Sequence, residues 1–104
     1  MAAKILVYYR KTDQQEEFED YYFNVHLPIV RKISQIKDLK IARVVHSNDT
    51  VDDLYLHGEI LFENMETLKE AIESPEGQAM FEDAKKMRKF FKNPPITTFV
   101  EFVD

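Results

Sequence analysis

Two short runs near the ends of the chain, Ile5-Leu6-Val7-Tyr8 and Phe99-Val100 with Phe102-Val103, are apolar at odd and even positions alike. Successive side chains of a strand point to opposite faces, so a sheet built on these runs needs cover on both sides. The helical periodicities between them supply one layer, which leaves the second face to something else. A second copy of the same sheet meets that need through a self-complementary two-fold interface, and the expectation is a homodimer packed through its sheet faces. The other arrangement is a monomer whose C-terminal segment folds over the open face.

Lys4–Arg10 is rich in β-formers and reads as the first strand, ended by Lys11-Thr12-Asp13. Asp13 with Glu16 forms a capping-box pattern that starts a helix running to about Ile33. At helical spacing Phe18, Tyr22, Val25 and Ile29 form its buried stripe, with His26 at the edge, one turn beyond Tyr22. Pro28 lacks an N–H and leaves the Asn24 carbonyl without its helical partner, which predicts a kink just after the histidine. Ser34–Asp38 is a polar turn and Leu39–His46 a second strand. Ser47–Asp53 is a polar hairpin connection that lacks the glycine and terminal glutamate of a calcium loop.

Leu54–Glu63 is the clearest strand. Leu54, Leu56, Gly58, Ile60 and Phe62 share its apolar face, and Tyr55, His57, Glu59, Leu61 and Glu63 share the mixed one. Asn64 caps a helix that buries Met65, Leu68, Ala71 and Ile72. Ser74-Pro75-Glu76 opens another, with proline at the first position, where its missing N–H costs nothing. Its stripe is Met80, Phe81, Ala84, Met87 and Phe91. Asn93-Pro94-Pro95 stops it, and Ile96–Val103 is the last strand.

The order implies an α+β, ferredoxin-like βαββαβ fold with an extra short helix and a four-stranded antiparallel sheet, a single domain over residues 1–104. A formal net charge of -5, without a basic stripe, argues against nucleic acid as a partner. No stretch has the pattern of a signal peptide or a membrane span, and the chain has no cysteine, so a cytoplasmic location without membrane contact is expected. With Gly58 and Gly77 as the only glycines, no Gly-rich phosphate loop can form, which disfavours nucleotide cofactors. Three scattered histidines make no metal cluster, and Met80, Met87, Phe81 and Phe91 read as core, so neither a metal nor another cofactor is expected.

The opening strand ending in Tyr9-Arg10-Lys11, the Phe18/Tyr21-Tyr22/His26-Leu27-Pro28 helix and the late Ser74-Pro75-Glu76-Gly77-Gln78 turn together resemble the EthD-like family. The resemblance runs along essentially the whole chain. It implies the dimeric α/β-barrel superfamily of ferredoxin-like subunits, with relatives that include an accessory protein of ether degradation and fungal polyketide dehydratases or related lyases. Members with no assigned reaction are numerous, so the resemblance speaks to fold more than to function. The absence of tryptophan disfavours the haem-degrading branch of that superfamily.

His26 is the leading catalytic candidate. Its ordinary pKa suits proton transfer near neutral pH, and Tyr22, one turn away, can hydrogen-bond a substrate oxygen. The resemblance implies an acid/base role for the matching histidine. The structural alternative is that the ring caps the Asn24 carbonyl freed by Pro28, or packs on the helix while bonding the sheet. Tyr9, at the end of the first strand, is expected to reach the same cleft. Tyr55, His57 and Glu59 point together onto the mixed sheet face, either as a second substrate-binding group or as residues satisfied at the dimer interface. His46, before a polar loop, reads as solvated. Lys85, Lys86, Arg88, Lys89 and Lys92 form a solvated basic face, with anion binding as the alternative. The chain thus reads as a cofactor-independent lyase or isomerase acting on a small apolar or aromatic oxygenated compound. The alternative is a non-catalytic binding or stress-associated dimer.

Overall fold

In the computed structural model, which describes residues 1–48 and 54–104, four strands form one antiparallel sheet in the order β2-β3-β1-β4. These are β1 (Ala3–Arg10), β2 (Asp38–Arg43), β3 (Leu54–Phe62) and β4 (Ile96–Glu101). The helices are α1 (Gln15–Tyr21), α2 (Leu27–Val30), α3 (Met65–Glu73) and α4 (Pro75–Lys86). Residues 49–53 of the expected Ser47–Asp53 connection lie outside the described residues. No helix among the described residues is long and apolar enough to cross a membrane.

The register follows the hydrophobic alternation. Ile5 pairs with Ile60, Val7 with Gly58 and Tyr9 with Leu56, so one face of β1 and β3 is a continuous apolar row under the helices. Ala3, Ile5, Ile60 and Phe62 pack with Val30, Ile33, Leu68, Ala71 and Met80, and a second cluster joins Tyr9, Leu56 and Phe18 to Met87 and Phe90. The opposite face carries Leu6, Tyr8, His57, Glu59, Leu61, Ile96, Thr98 and Val100, all half-buried. From Leu56 to Phe62 the apolar and mixed faces of β3 are therefore as the alternation predicted; at Leu54 and Tyr55 the alternation breaks. An irregularity opposite Tyr9 and Arg10, which pair with Leu56 and Leu54, skips Tyr55 and lets its ring pack edge-on to Phe18 on the helix side.

Helix caps that depend on local chemistry form as expected. Asn64 Oδ1 accepts from the Thr67 N–H at 2.8 Å, and Ser74 Oγ accepts from the Gly77 N–H at 3.1 Å. Gly77 is required by close approach: a Cβ there would stand 2.0 Å from the Ala71 carbonyl oxygen. Asp13, by contrast, caps nothing. Gln14 occupies the cap position without a side-chain bond, while Thr12 Oγ1 accepts from the Gln14 N–H and donates to the Phe90 carbonyl.

The first helical segment departs most from its expected form. Between α1 and α2, Tyr22–His26 is a widened π turn in which the Leu27 N–H bonds the Tyr22 carbonyl. The disturbance comes immediately before Pro28, whose ring would collide with the Asn24 carbonyl in an unbroken α-helix. It lies within the turn that holds His26 rather than after it. One extra residue advances the helix phase by about 100°. Burial accordingly passes from the expected Val25 and Ile29 to His26, Leu27 and Val30, and Val25 is 40% exposed.

Candidate functional site

The π turn rotates His26 from the edge of the stripe into the interior, where it is 5% exposed. Its Nδ1 lies 2.9 Å from Oδ2 of Asp83 on α4, and the Tyr21 hydroxyl donates to Oδ1 of the same carboxyl at 2.6 Å. A buried carboxyl, itself 4% exposed, thereby receives two donors. The alternative in which His26 caps the Asn24 carbonyl is not seen; the ring bonds Asp83 instead. Burial lowers the imidazole pKa from its ordinary 6.5, against the opposing pull of Asp83. The ring is therefore neutral at pH 7. Since Asp83 can only accept, the proton sits on Nδ1, and Nε2 keeps its lone pair with no hydrogen-bond partner among the described residues. The bond to Asp83, with burial second, pushes the Tyr21 hydroxyl up to about 12.

Tyr22 stacks on His26 with ring centroids 5.7 Å apart, and Tyr9 meets Tyr22 edge-on at 5.2 Å. Burial holds both hydroxyls well above the ordinary phenol range. Opposite them stands Gly58, where a Cβ would lie 3.0 Å from the Tyr22 hydroxyl oxygen. The absent side chain is what leaves room in front of that hydroxyl.

Tyr9, Tyr22, His26 and Gly58 line one cavity of about 90 Å³ between the sheet and the helices. A single water needs only ~10–15 Å³, so the space is large enough for a small molecule. Its remaining wall is mostly apolar: Ile5, Val7 and Ile60 from the sheet, Leu27 and Val30 from α2, and Met80, Ala84 and Met87 along α4. Arg88 and Thr97 are its exposed lining residues and mark an opening between the end of α4 and β4.

The other sequence candidates lie elsewhere. Tyr55 donates to Glu19, whose carboxyl also takes both guanidinium nitrogens of Arg43 at 2.9 and 3.1 Å. Those bonds, Arg43 first and Tyr55 second, hold Glu19 down at about 2. This is a brace between α1 and the β2-β3 hairpin. His57 stacks on Tyr8 at 4.6 Å on the open sheet face, with Nε2 3.7 Å from Glu59 Oε1, and Lys4 Nζ is 3.5 Å from Glu59 Oε2. The six candidates thus divide into three groups: Tyr9, Tyr22 and His26 at the cavity, Tyr55 in the brace, His57 and Glu59 on the open face. Asp83 and Tyr21 escaped sequence reasoning. The signal for Asp83 was its position between Met80, Ala84 and Met87 on an apolar helical stripe, where an acid is out of place. Among the described residues no group of three or more His, Cys, Asp or Glu is placed to hold a metal ion.

Residues 11–90 match the EthD domain family. The chain belongs to the EthD family. An EthD-family protein from Bacillus halodurans is 30% identical, with a TM-score of 0.83 over 99% of this chain and 100% of that one. Two more distant structures share the fold alone. A hydroxynitrile lyase from Passiflora edulis is 12% identical, with a TM-score of 0.73 over 99% of this EthD chain and 94% of that one. A dimeric ferredoxin-like protein from Jannaschia is 8% identical, with a TM-score of 0.71 over 98% and 100%. No curated protein sequence matches.

Proposed function

We propose that this EthD-family protein is a cofactor-independent lyase or isomerase that holds a small apolar or aromatic oxygenated compound in the cavity, with His26 as general acid/base. The observation that carries the reading is the His26–Asp83 pair: the carboxyl fixes the tautomer, and burial keeps the ring neutral with Nε2 unbonded in a residue that lines the cavity. Nε2 takes a proton from the substrate hydroxyl or an acidified C–H and returns it to the leaving group or to the neighbouring carbon. Tyr22 and Tyr9 position the substrate oxygen through their hydroxyls, which stay protonated across the neutral range. The active form is proposed to be a homodimer joined through the open sheet face, where Leu6, Tyr8, Ile96 and Val100 lie half-buried; two proteins that share the fold are described as dimeric.

Because one fold relative is a hydroxynitrile lyase, mandelonitrile is a suitable first probe. Base removal of its hydroxyl proton expels cyanide, which leaves with a proton from His26, and gives benzaldehyde. The wild-type protein is expected to release benzaldehyde above the buffer rate. His26→Gln is expected to lose about 100-fold or more in rate while ligand affinity changes little. Mandelonitrile bound without turnover would overturn catalysis in favour of a ligand-binding dimer. For assembly, Leu6→Glu is expected to convert a dimer to a monomer in sedimentation. A wild-type monomer would remove the dimer from the reading.

A further inference from the structure

Arg88 is the one permanently charged residue among those lining the cavity, and neutral His26 adds no charge at pH 7. It lies in the tight turn Met87–Phe90 that follows α4, at the opening, and is exposed. Its guanidinium makes no hydrogen bond or ion pair with the described residues, although the chain holds 19 acidic residues against 14 basic ones. Some other cations are engaged, Lys85 with Glu82, Arg43 with Glu19 and Lys4 with Glu59, but none of these lines the cavity.

A second groove adjoins this end of the cavity, and Phe91 lines both. Lys11, Lys89 and Lys92 line that groove with one acid, Asp13, so the rim leans positive on a protein whose net charge is negative. An apolar chamber with one cation at its lip suits a molecule that is apolar at one end and anionic at the other. A guanidinium matches the two oxygens of a carboxylate with parallel N–H donors.

We propose that Arg88 is the anion-recognising residue of the cavity, and that its ligand is an aromatic or apolar carboxylate whose ring enters the chamber while the acid group stays at the rim. The inference rests on the cavity being the ligand site, as proposed above.

Cinnamate and its neutral isostere cinnamamide separate the two ideas by titration calorimetry. The wild-type protein is expected to bind cinnamate about fivefold more tightly than cinnamamide at low ionic strength, with the preference shrinking as salt is added. In Arg88→Gln, whose site is exposed and whose melting temperature should be unchanged, the two affinities are expected to converge. Equal wild-type affinities, or a preference that survives Arg88→Gln, would overturn anion recognition by Arg88 while leaving the cavity as a ligand site. Loss of preference only in the combined Lys11→Gln, Lys89→Gln and Lys92→Gln variant would move the anion into the groove and also overturn it. If neither compound binds, and the cavity-filling Ala84→Phe changes nothing, the cavity reading fails together with the inference.

Discussion

Two histidine–carboxyl pairs occupy opposite sides of the same sheet, and they differ in everything but composition. His26 and Asp83 are 5% and 4% exposed, 2.9 Å apart, and join residues 57 positions apart in the chain. His57 and Glu59 are two residues apart on β3, half-buried, 3.7 Å apart, and shared with Lys4 and the Tyr8 ring. In the first pair burial makes each group dependent on the other, so the ring's tautomer and charge are set. In the second, Glu59 is shared with Lys4, and the buried His57 Nε2 finds no hydrogen bond among the described residues. A local sequence pattern put a histidine beside a carboxylate; only a buried long-range contact made such a pair specific.

The sharpest break between the two regions should come from removing the carboxyls. Asp83→Ala strands the buried His26 and the half-buried Tyr21 hydroxyl and is expected to destabilise by about 3 kcal/mol, lowering the melting temperature by more than about 10 °C. Glu59→Ala is expected to stay within about 0.5 kcal/mol for the protomer. Similar losses from both would erase the distinction.

Acid titration sharpens it next. The folded-state pKa of His26 lies below its ordinary 6.5, so the unfolded chain binds the proton first. Stability is full above pH 6.5 and falls as the pH drops toward the folded value, by up to about 1.4 kcal/mol per pH unit. His26→Gln is expected to flatten this limb in urea denaturation. The Glu19 brace responds in a separate window: its contribution is present above 4.5 and fades as the pH falls toward about 2.

Tyr21→Phe is a smaller perturbation, because His26 still holds Asp83. It is expected to cost about 1–2 kcal/mol. It should also remove an alkaline limb, since the tyrosine contribution is full below pH 10 and lost as the pH rises through about 12. The smallest effect is expected at Gly58→Ala, whose Cβ would sit 3.0 Å from the Tyr22 hydroxyl. Thermal stability should change by under about 0.5 kcal/mol while affinity for a cavity ligand drops. A titration with cinnamate checks both the crowding and the place of Tyr22 in the cavity.

Read from sequence alone, the β-α-β-β-α-α-β order, the two-sided end strands, the Asn64 and Ser74 caps and a histidine-bearing first helix were all legible. Each depends on periodicity or on bonds spanning three or four residues, which a chain carries wherever it folds. The direction His26 faces was decided by tertiary structure, because Pro28 imposes a π turn whose one-residue phase change no local pattern announces. Tertiary structure likewise supplied Asp83 from α4, turned Tyr55 away from His57 at a strand irregularity, and separated the cavity from the open face. Helix and strand spacing say which residues are neighbours along one element. Which elements bury one another's polar groups is settled when the helices pack on the sheet and every buried donor and acceptor must find a partner.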